Sequence, residues 1–139
     1  MDTVTRLGRG EGEVAMGIMK ILIVDDSATS RMIIRRCFEI AGYREAQYFE
    51  AEDGMMAISF LKTNTVDLIL SDLRMPKMDG NTFIRKLRSS DATKTIPVVV
   101  ISSMSNDVLE KQLLEHGVKA VIRKPISPAK VVQAVGVVA

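Results

Sequence analysis

From residue 20 onward, short apolar runs rich in β-branched residues alternate with longer stretches in which apolar residues return every three or four positions. The first pattern suits strands buried on both faces, and the second suits helices laid against them. The run KILIV at 20–24 predicts the first strand. Ile33, Ile34, Cys37, Phe38 and Ala41 then recur at helical spacing, and Gly42 stands where a left-handed cap would end that helix. A less marked strand over 47–51 precedes a helix over about 54–62, in which Met55, Met56, Ile58 and Leu61 are candidates to face the core. VDLILS at 66–71 is nearly all apolar, as a central parallel strand should be, and it runs directly into Asp72. A loop rich in turn residues passes Pro76 and Gly80 and leads to a helix carrying Phe83, Ile84 and Leu87, then to the strand PVVVIS at 97–102. A helix over about 106–116, capped by Asn106 and stopped by Gly117, leads to the strand KAVIR at 119–123. Ser127 and Pro128 make an N-cap and N1 pair for a last helix bearing Val131, Val132 and Val135.

Strict alternation of strand and helix predicts an α/β domain of the flavodoxin-like, doubly wound kind: a five-stranded parallel sheet in the order 2-1-3-4-5 with five helices. With 139 residues in all, one domain over 18–139 is expected. Residues 1–17 show neither apolar periodicity nor the order of a signal peptide, and they read as a disordered tail. A natural extension, an upstream start codon and an added segment are all compatible with it.

Composition narrows the function. A net charge of +2, with basic residues scattered among acidic ones, does not provide the positive face that nucleic acid requires. No apolar run approaches the length of a membrane span. Cys37 is the only cysteine, which precludes an internal disulfide and suits an inert core thiol in the cytoplasm.

In a doubly wound sheet, ligands gather outside the carboxyl ends of the strands where strand order reverses. Asp25 and Asp26 follow the first strand, Asp72 the third, Ser102 ends the fourth and Lys124 follows the fifth, just before Pro125. Taken singly, Asp26 also reads as a helix cap, Ser102 as a bland hydroxyl and Lys124 as a solvated surface group. Together they place three carboxylates, a hydroxyl and an ammonium at one edge. Two carboxylates about 4 Å apart repel by roughly 4 kcal/mol at an effective dielectric near 20. A hard divalent cation relieves this, and oxygen ligands with open positions suit Mg²⁺ better than zinc, for which His116 and Cys37 offer no cluster.

ILIVDDS at 21–27, AEDG at 51–54, SDLRMPKMDG at 71–80, VVVISS at 98–103 and RKPIS at 123–127 together resemble the response-regulator receiver family, and the likeness covers about residues 18–139. The resemblance implies that Asp72 accepts a phosphoryl group from a sensor histidine kinase, and that Asp25, Asp26, Asp72 and the backbone carbonyl of Arg74 hold Mg²⁺. It further implies that Lys124 and Ser102 contact phosphoryl oxygens, and that a downstream protein binds the face of helix four, strand five and helix five. The likeness is greatest to single-domain chemotaxis members, signalling proteins rather than turnover enzymes; a receiver piece of a larger regulator or hybrid kinase is the alternative. Two departures stand out. Ser102 occupies a place where threonine is commoner, and Val121 one where many members carry an aromatic side chain that changes rotamer on activation. Arg74 and Met104 fall at variable positions flanking the site. The valine-rich last helix, with Val131, Val132, Val135, Val137 and Val138, leaves room for a homodimer or partner surface.

Other chemistries fit less well. A phosphohydrolase of this kind would carry an acid two residues beyond Asp72, where Arg74 stands, and a nucleotide site would show a glycine-rich turn where this chain has DDSATS.

Overall fold

The computed structural model describes residues 19–136, so the proposed tail at 1–17, and Val137 and Val138, lie outside the described residues. Five parallel strands, β1 (Lys20–Val24), β2 (Gln47–Ala51), β3 (Leu68–Ser71), β4 (Val98–Ser102) and β5 (Ala120–Arg123), form one sheet in the order β2-β1-β3-β4-β5. Between and after them run α1 (Ala28–Phe38), α2 (Gly54–Leu61), α3 (Gly80–Arg88), α4 (Asp107–Glu115) and α5 (Pro128–Val135). This is the flavodoxin-like arrangement anticipated above.

Side chains of a strand point alternately to the two faces, and the sheet sorts them into two cores. Leu22, Val24, Ile69, Val98 and Val100 pack with α2, α3 and α4 through Ala57, Phe83, Leu87 and Leu113. Ile21, Ile23, Leu68, Leu70, Val99 and Ile101 pack with α1 and α5 through Ile34, Phe38 and Val131. With both faces covered, the central strands are nearly all apolar, which is why they were legible as runs.

Each helix starts on a side chain that accepts an otherwise orphaned amide: Ser27, Asp53, Asp79, Asn106 and Ser127. Since Ser27 caps α1, Asp26 is not spent on that role. Gly42 has the expected positive φ, 117°, but the end of the first helix opens into a π turn over Glu39–Tyr43. The wider turn leaves Tyr43 buried, its ring centroid 5.5 Å from that of Phe38 and its hydroxyl donating to the Gly136 carbonyl at 3.2 Å.

Three apolar positions differ from expectation. Met55 and Met56 are exposed, because α2 buries Gly54, Ala57 and Leu61 instead. Gly54 sits so close to Met78 that an added Cβ would lie 3.0 Å from its sulfur. Ile33 is also exposed; α1 turns Ile34, Cys37 and Phe38 inward and leaves Ile33 on the rim of a groove with Pro125 and Ile126.

Candidate functional site

The carboxyl ends of β1 and β3 lie side by side where strand order reverses, and the acidic residues stand just beyond them. Asp25, Asp26 and Asp72 each offer a carboxylate oxygen, all within 4.8 Å of one another. Asp25 and Asp72 are buried, whereas Asp26 is exposed.

Local sequence holds each group. The Asp72 amide donates to the Val24 carbonyl at 3.0 Å, extending the β1–β3 ladder by one bond. Its carboxylate Oδ1 accepts the amides of Leu73 at 2.6 Å and Arg74 at 3.3 Å. Asp25 accepts the Ser27 amide on Oδ1 at 2.9 Å and the Ser30 hydroxyl on Oδ2 at 2.7 Å. Lys124 then bridges two distant parts of the chain, its Nζ lying 3.0 Å from Asp25 Oδ2 and 3.1 Å from Asp72 Oδ2. Burial works to lower the Lys124 pKa, but the hydrogen bonds and charges of Asp25 and Asp72 outweigh it and hold the ammonium above its ordinary value. The Lys124–Pro125 peptide is cis.

Ser102 is fully buried at the end of β4, and its hydroxyl accepts the Met104 amide at 3.1 Å. That bond ties it to its own loop, not to the carboxylates, although the Lys124 amide donates to the Ser102 carbonyl at 3.1 Å. Arg74 lies on the loop after β3 with its side chain exposed, and with Met104, Asp26 and Asn81 it lines an open groove of about 600 Å³. Val121 is half-buried against the core on the α4 side.

The loop after Asp72 is closed by the Gly80 amide on the Leu73 carbonyl at 2.9 Å. Within it, the Met78 amide donates to the Pro76 carbonyl at 2.7 Å across Lys77, whose φ is 70°. Lys77 also lies 3.7 Å from the buried carboxylate of Asp53, joining this loop to the start of α2.

Three hard oxygens with one ammonium beside them fit a small divalent cation such as Mg²⁺ in donor type, and neither sulfur nor imidazole belongs to the group. The arrangement can therefore hold a cation and, once Lys124 swings off Asp72, receive an anion next to it.

Residues 21–136 match the family model described as the response regulator receiver domain. The chain belongs to the response regulator receiver family. As a receiver it is similar to the chemotaxis protein CheY-3 of Vibrio cholerae, with 33% identity over 111 residues, 80% of this chain and 84% of that protein. It is also similar to the cyclic di-GMP phosphodiesterase response regulator RpfG of Xanthomonas campestris, at 34% identity over 79% of this chain, but the receiver spans only 29% of that longer protein. The solved structure of chemotaxis response regulator CheY4 of Vibrio cholerae superposes with a TM-score of 0.73 at 24% identity, covering 84% of this chain and 95% of that one, which shows the shared fold.

Sequence reasoning missed several parts of the receiver's site. Ser30 and Arg31, on the first turns of α1, reach back to Asp25, and Glu50 meets Arg31 from the end of β2. Their only signal was spacing: residues one helical turn beyond Ser27 return to the side of the strand end.

Proposed function

We propose that this receiver takes a phosphoryl group from the phosphohistidine of a sensor histidine kinase onto Asp72 and signals through the resulting change of shape. The observation that carries the reading is the Lys124 ammonium held at 3.0 Å and 3.1 Å between Asp25 and Asp72. It is a cation already in place for an oxyanion that arrives at Asp72.

Oδ1 of Asp72 is engaged by two main-chain amides, so Oδ2, whose partner is the movable Lys124, is the attacking oxygen. It forms a bond to phosphorus as the phosphorus–nitrogen bond breaks, and the imidazole leaves with the electron pair. Lys124 follows the charge from carboxylate to phosphoryl oxygen, and Ser102 exchanges the Met104 amide for another phosphoryl oxygen, drawing in the loop between β4 and α4. Attack by water on the acyl phosphate releases inorganic phosphate and restores the carboxylate. Asp25, Asp26, Asp72 and the Arg74 carbonyl would hold Mg²⁺, which when bound neutralises the acidic cluster and the phosphoryl oxygens. The protein acts as a signalling phosphoacceptor and not as a turnover enzyme.

Among the described residues no helix is long and apolar enough to cross a membrane, and the reading places the protein in the cytoplasm. The face of α4, β5 and α5 is the surface proposed for a downstream protein. The match over 84% of CheY-3 supports a chemotaxis-type role; the match over 29% of RpfG supports the second reading, a receiver within a larger regulator. The length of the natural reading frame decides between them.

Incubation with a small-molecule phosphodonor, with and without Mg²⁺, tests the chemistry by intact mass. Wild type should gain one alkali-labile phosphoryl group only with Mg²⁺, and Asp72→Asn none. A folded wild type that gains no adduct and binds no Mg²⁺ removes the proposal and leaves a phosphate-independent interaction module.

A further inference from the structure

Of the three arginines on α1, Arg31 is set apart by enclosure: its side chain is 12% exposed, against 48% for Arg35 and 73% for Arg36. An enclosed guanidinium is unfavourable unless its charge and donors are met. Nε of Arg31 donates to Glu50 Oε1 at 2.6 Å, and Nη1 donates to the carbonyl of Asp25 at 2.6 Å.

The second bond falls where the sheet ends. The last ladder bonds at this edge run from the Asp72 amide to the Val24 carbonyl and from the Asp25 amide to the Ala51 carbonyl. The carbonyl of Asp25 is the next along the strand and accepts no main-chain amide from either neighbouring strand, and a carbonyl so placed needs a partner from elsewhere. Arg31 is that partner. On the other side of the same turn, the Ser27 amide is tied to Asp25 Oδ1 at 2.9 Å. Asp26 is thus flanked by two held peptide groups, the Asp25 carbonyl before it tied to Arg31 and the Ser27 amide after it tied to the Asp25 carboxylate. The Asp26 side chain is exposed and does not cap the helix, a role that Ser27 fills, so its backbone on either side is what can orient it.

We propose that Arg31 is a positioning residue for the cation site: it fixes the Asp25–Asp26 peptide so that Asp26 presents its carboxylate to the cluster, and Glu50 fixes Arg31 in turn. The inference rests on the Mg²⁺ reading given above and adds two residues to it.

Geometry and bare charge predict opposite signs, which makes the idea testable. As a charge alone, Arg31 repels a nearby cation, and its removal should tighten Mg²⁺ binding. As a positioning group, its removal should weaken binding. Calorimetric Mg²⁺ titration of the full chain is compared for wild type, Arg31→Gln, Arg31→Lys and Glu50→Gln, together with amide exchange at Ser27 in metal-free protein. Arg31→Gln should weaken Mg²⁺ binding by about tenfold, the usual effect of losing a group that orients a ligand. Arg31→Lys should weaken it similarly, because one ammonium keeps the charge but cannot span both partners. Glu50→Gln should have a smaller effect in the same direction, and Ser27 should exchange faster in both Arg31 variants. If Arg31→Gln does not fold, Arg31→Lys and Glu50→Gln decide the matter. Binding that is unchanged or tighter in the Arg31 variants overturns this inference alone, whereas a wild type that binds no Mg²⁺ overturns the proposed function as well.

Discussion

Gly80 shows how little room the site leaves at the level of one residue. Its backbone conformation is open to any side chain, but a Cβ there would lie 2.7 Å from the Leu73 Cα and 2.9 Å from the Asp72 carbonyl oxygen. Both are main-chain atoms, so they cannot swing aside. Gly80→Ala should cost about 1–3 kcal/mol in urea unfolding, the range for forcing extra volume into a packed region. It should also slow formation of the phosphoryl adduct, because the backbone that must yield carries the amides bound to Asp72 Oδ1. A variant that loses stability but is phosphorylated at the wild-type rate would separate the loop from the chemistry. The five positions at the sheet edge were legible because carboxylates and an ammonium ending apolar strands need partners. Arg31 was not, since its partner is a main-chain carbonyl that becomes available only where the sheet stops.

Two features join elements around the β4–α4 region. Arg123 on β5 donates to Glu110 of α4 and, at 2.8 Å, to Asp107, while the Ser105 hydroxyl donates to Glu110 at 2.5 Å. The bond to Arg123, followed by that to Ser105, holds the Glu110 carboxyl below its ordinary value of 4.5. A depressed folded pKa means that the stabilisation is complete above the unfolded value and is lost as pH falls through the folded one. Glu110→Gln should therefore melt below wild type at neutral pH, with a gap that narrows on acidification below 4.5 and shrinks with added salt. A gap indifferent to pH would show that the network contributes nothing through charge. The second feature is the groove between Arg74 and Met104. Long side chains on its two walls would hinder water at the proposed phosphoryl site; on that argument Arg74→Ala with Met104→Ala should shorten the lifetime of the phosphoryl group, and an unchanged decay of the adduct would remove that role. Element patterns were readable for the central strands β1, β3 and β4, where both faces are covered and nearly every residue is apolar, and less so for β2, QYFEA, at the sheet edge. For α2 they gave the helix with Ile58 and Leu61 inward but misplaced Met55 and Met56, because GMMAISFL is apolar almost all round and periodicity cannot choose its buried face. Close approach of Gly54 to Met78 and Phe83 makes that choice, and it turns Met55 and Met56 outward. At the end of α1, Gly42 takes the left-handed conformation that its position announced, while the wider turn over Glu39–Tyr43 around it had no signal in the pattern.

At the scale of the molecule, two well-packed cores support an edge that is electrostatically unfavourable when metal-free. Three carboxylates share a space less than 5 Å across, and one ammonium offsets only part of their repulsion. Anything that neutralises the cluster in the folded state stabilises the whole domain through linkage. Mg²⁺ at 100 times its dissociation constant should add about 2.7 kcal/mol, which for a domain of this size raises Tm by about 10 °C. Asp26→Asn gives the complementary result. Asp26 neither caps α1 nor receives Lys124, so removing its charge relieves repulsion at no structural cost, and the metal-free variant should melt above wild type. The same change should abolish most of the rise with Mg²⁺. Thermal melts of both proteins across a Mg²⁺ series check the two effects at once. If wild type does not respond to Mg²⁺ and Asp26→Asn lowers Tm, the acidic edge is a structural network in which Asp26 has a stabilising partner, and the repulsion argued here is not the force that shapes it.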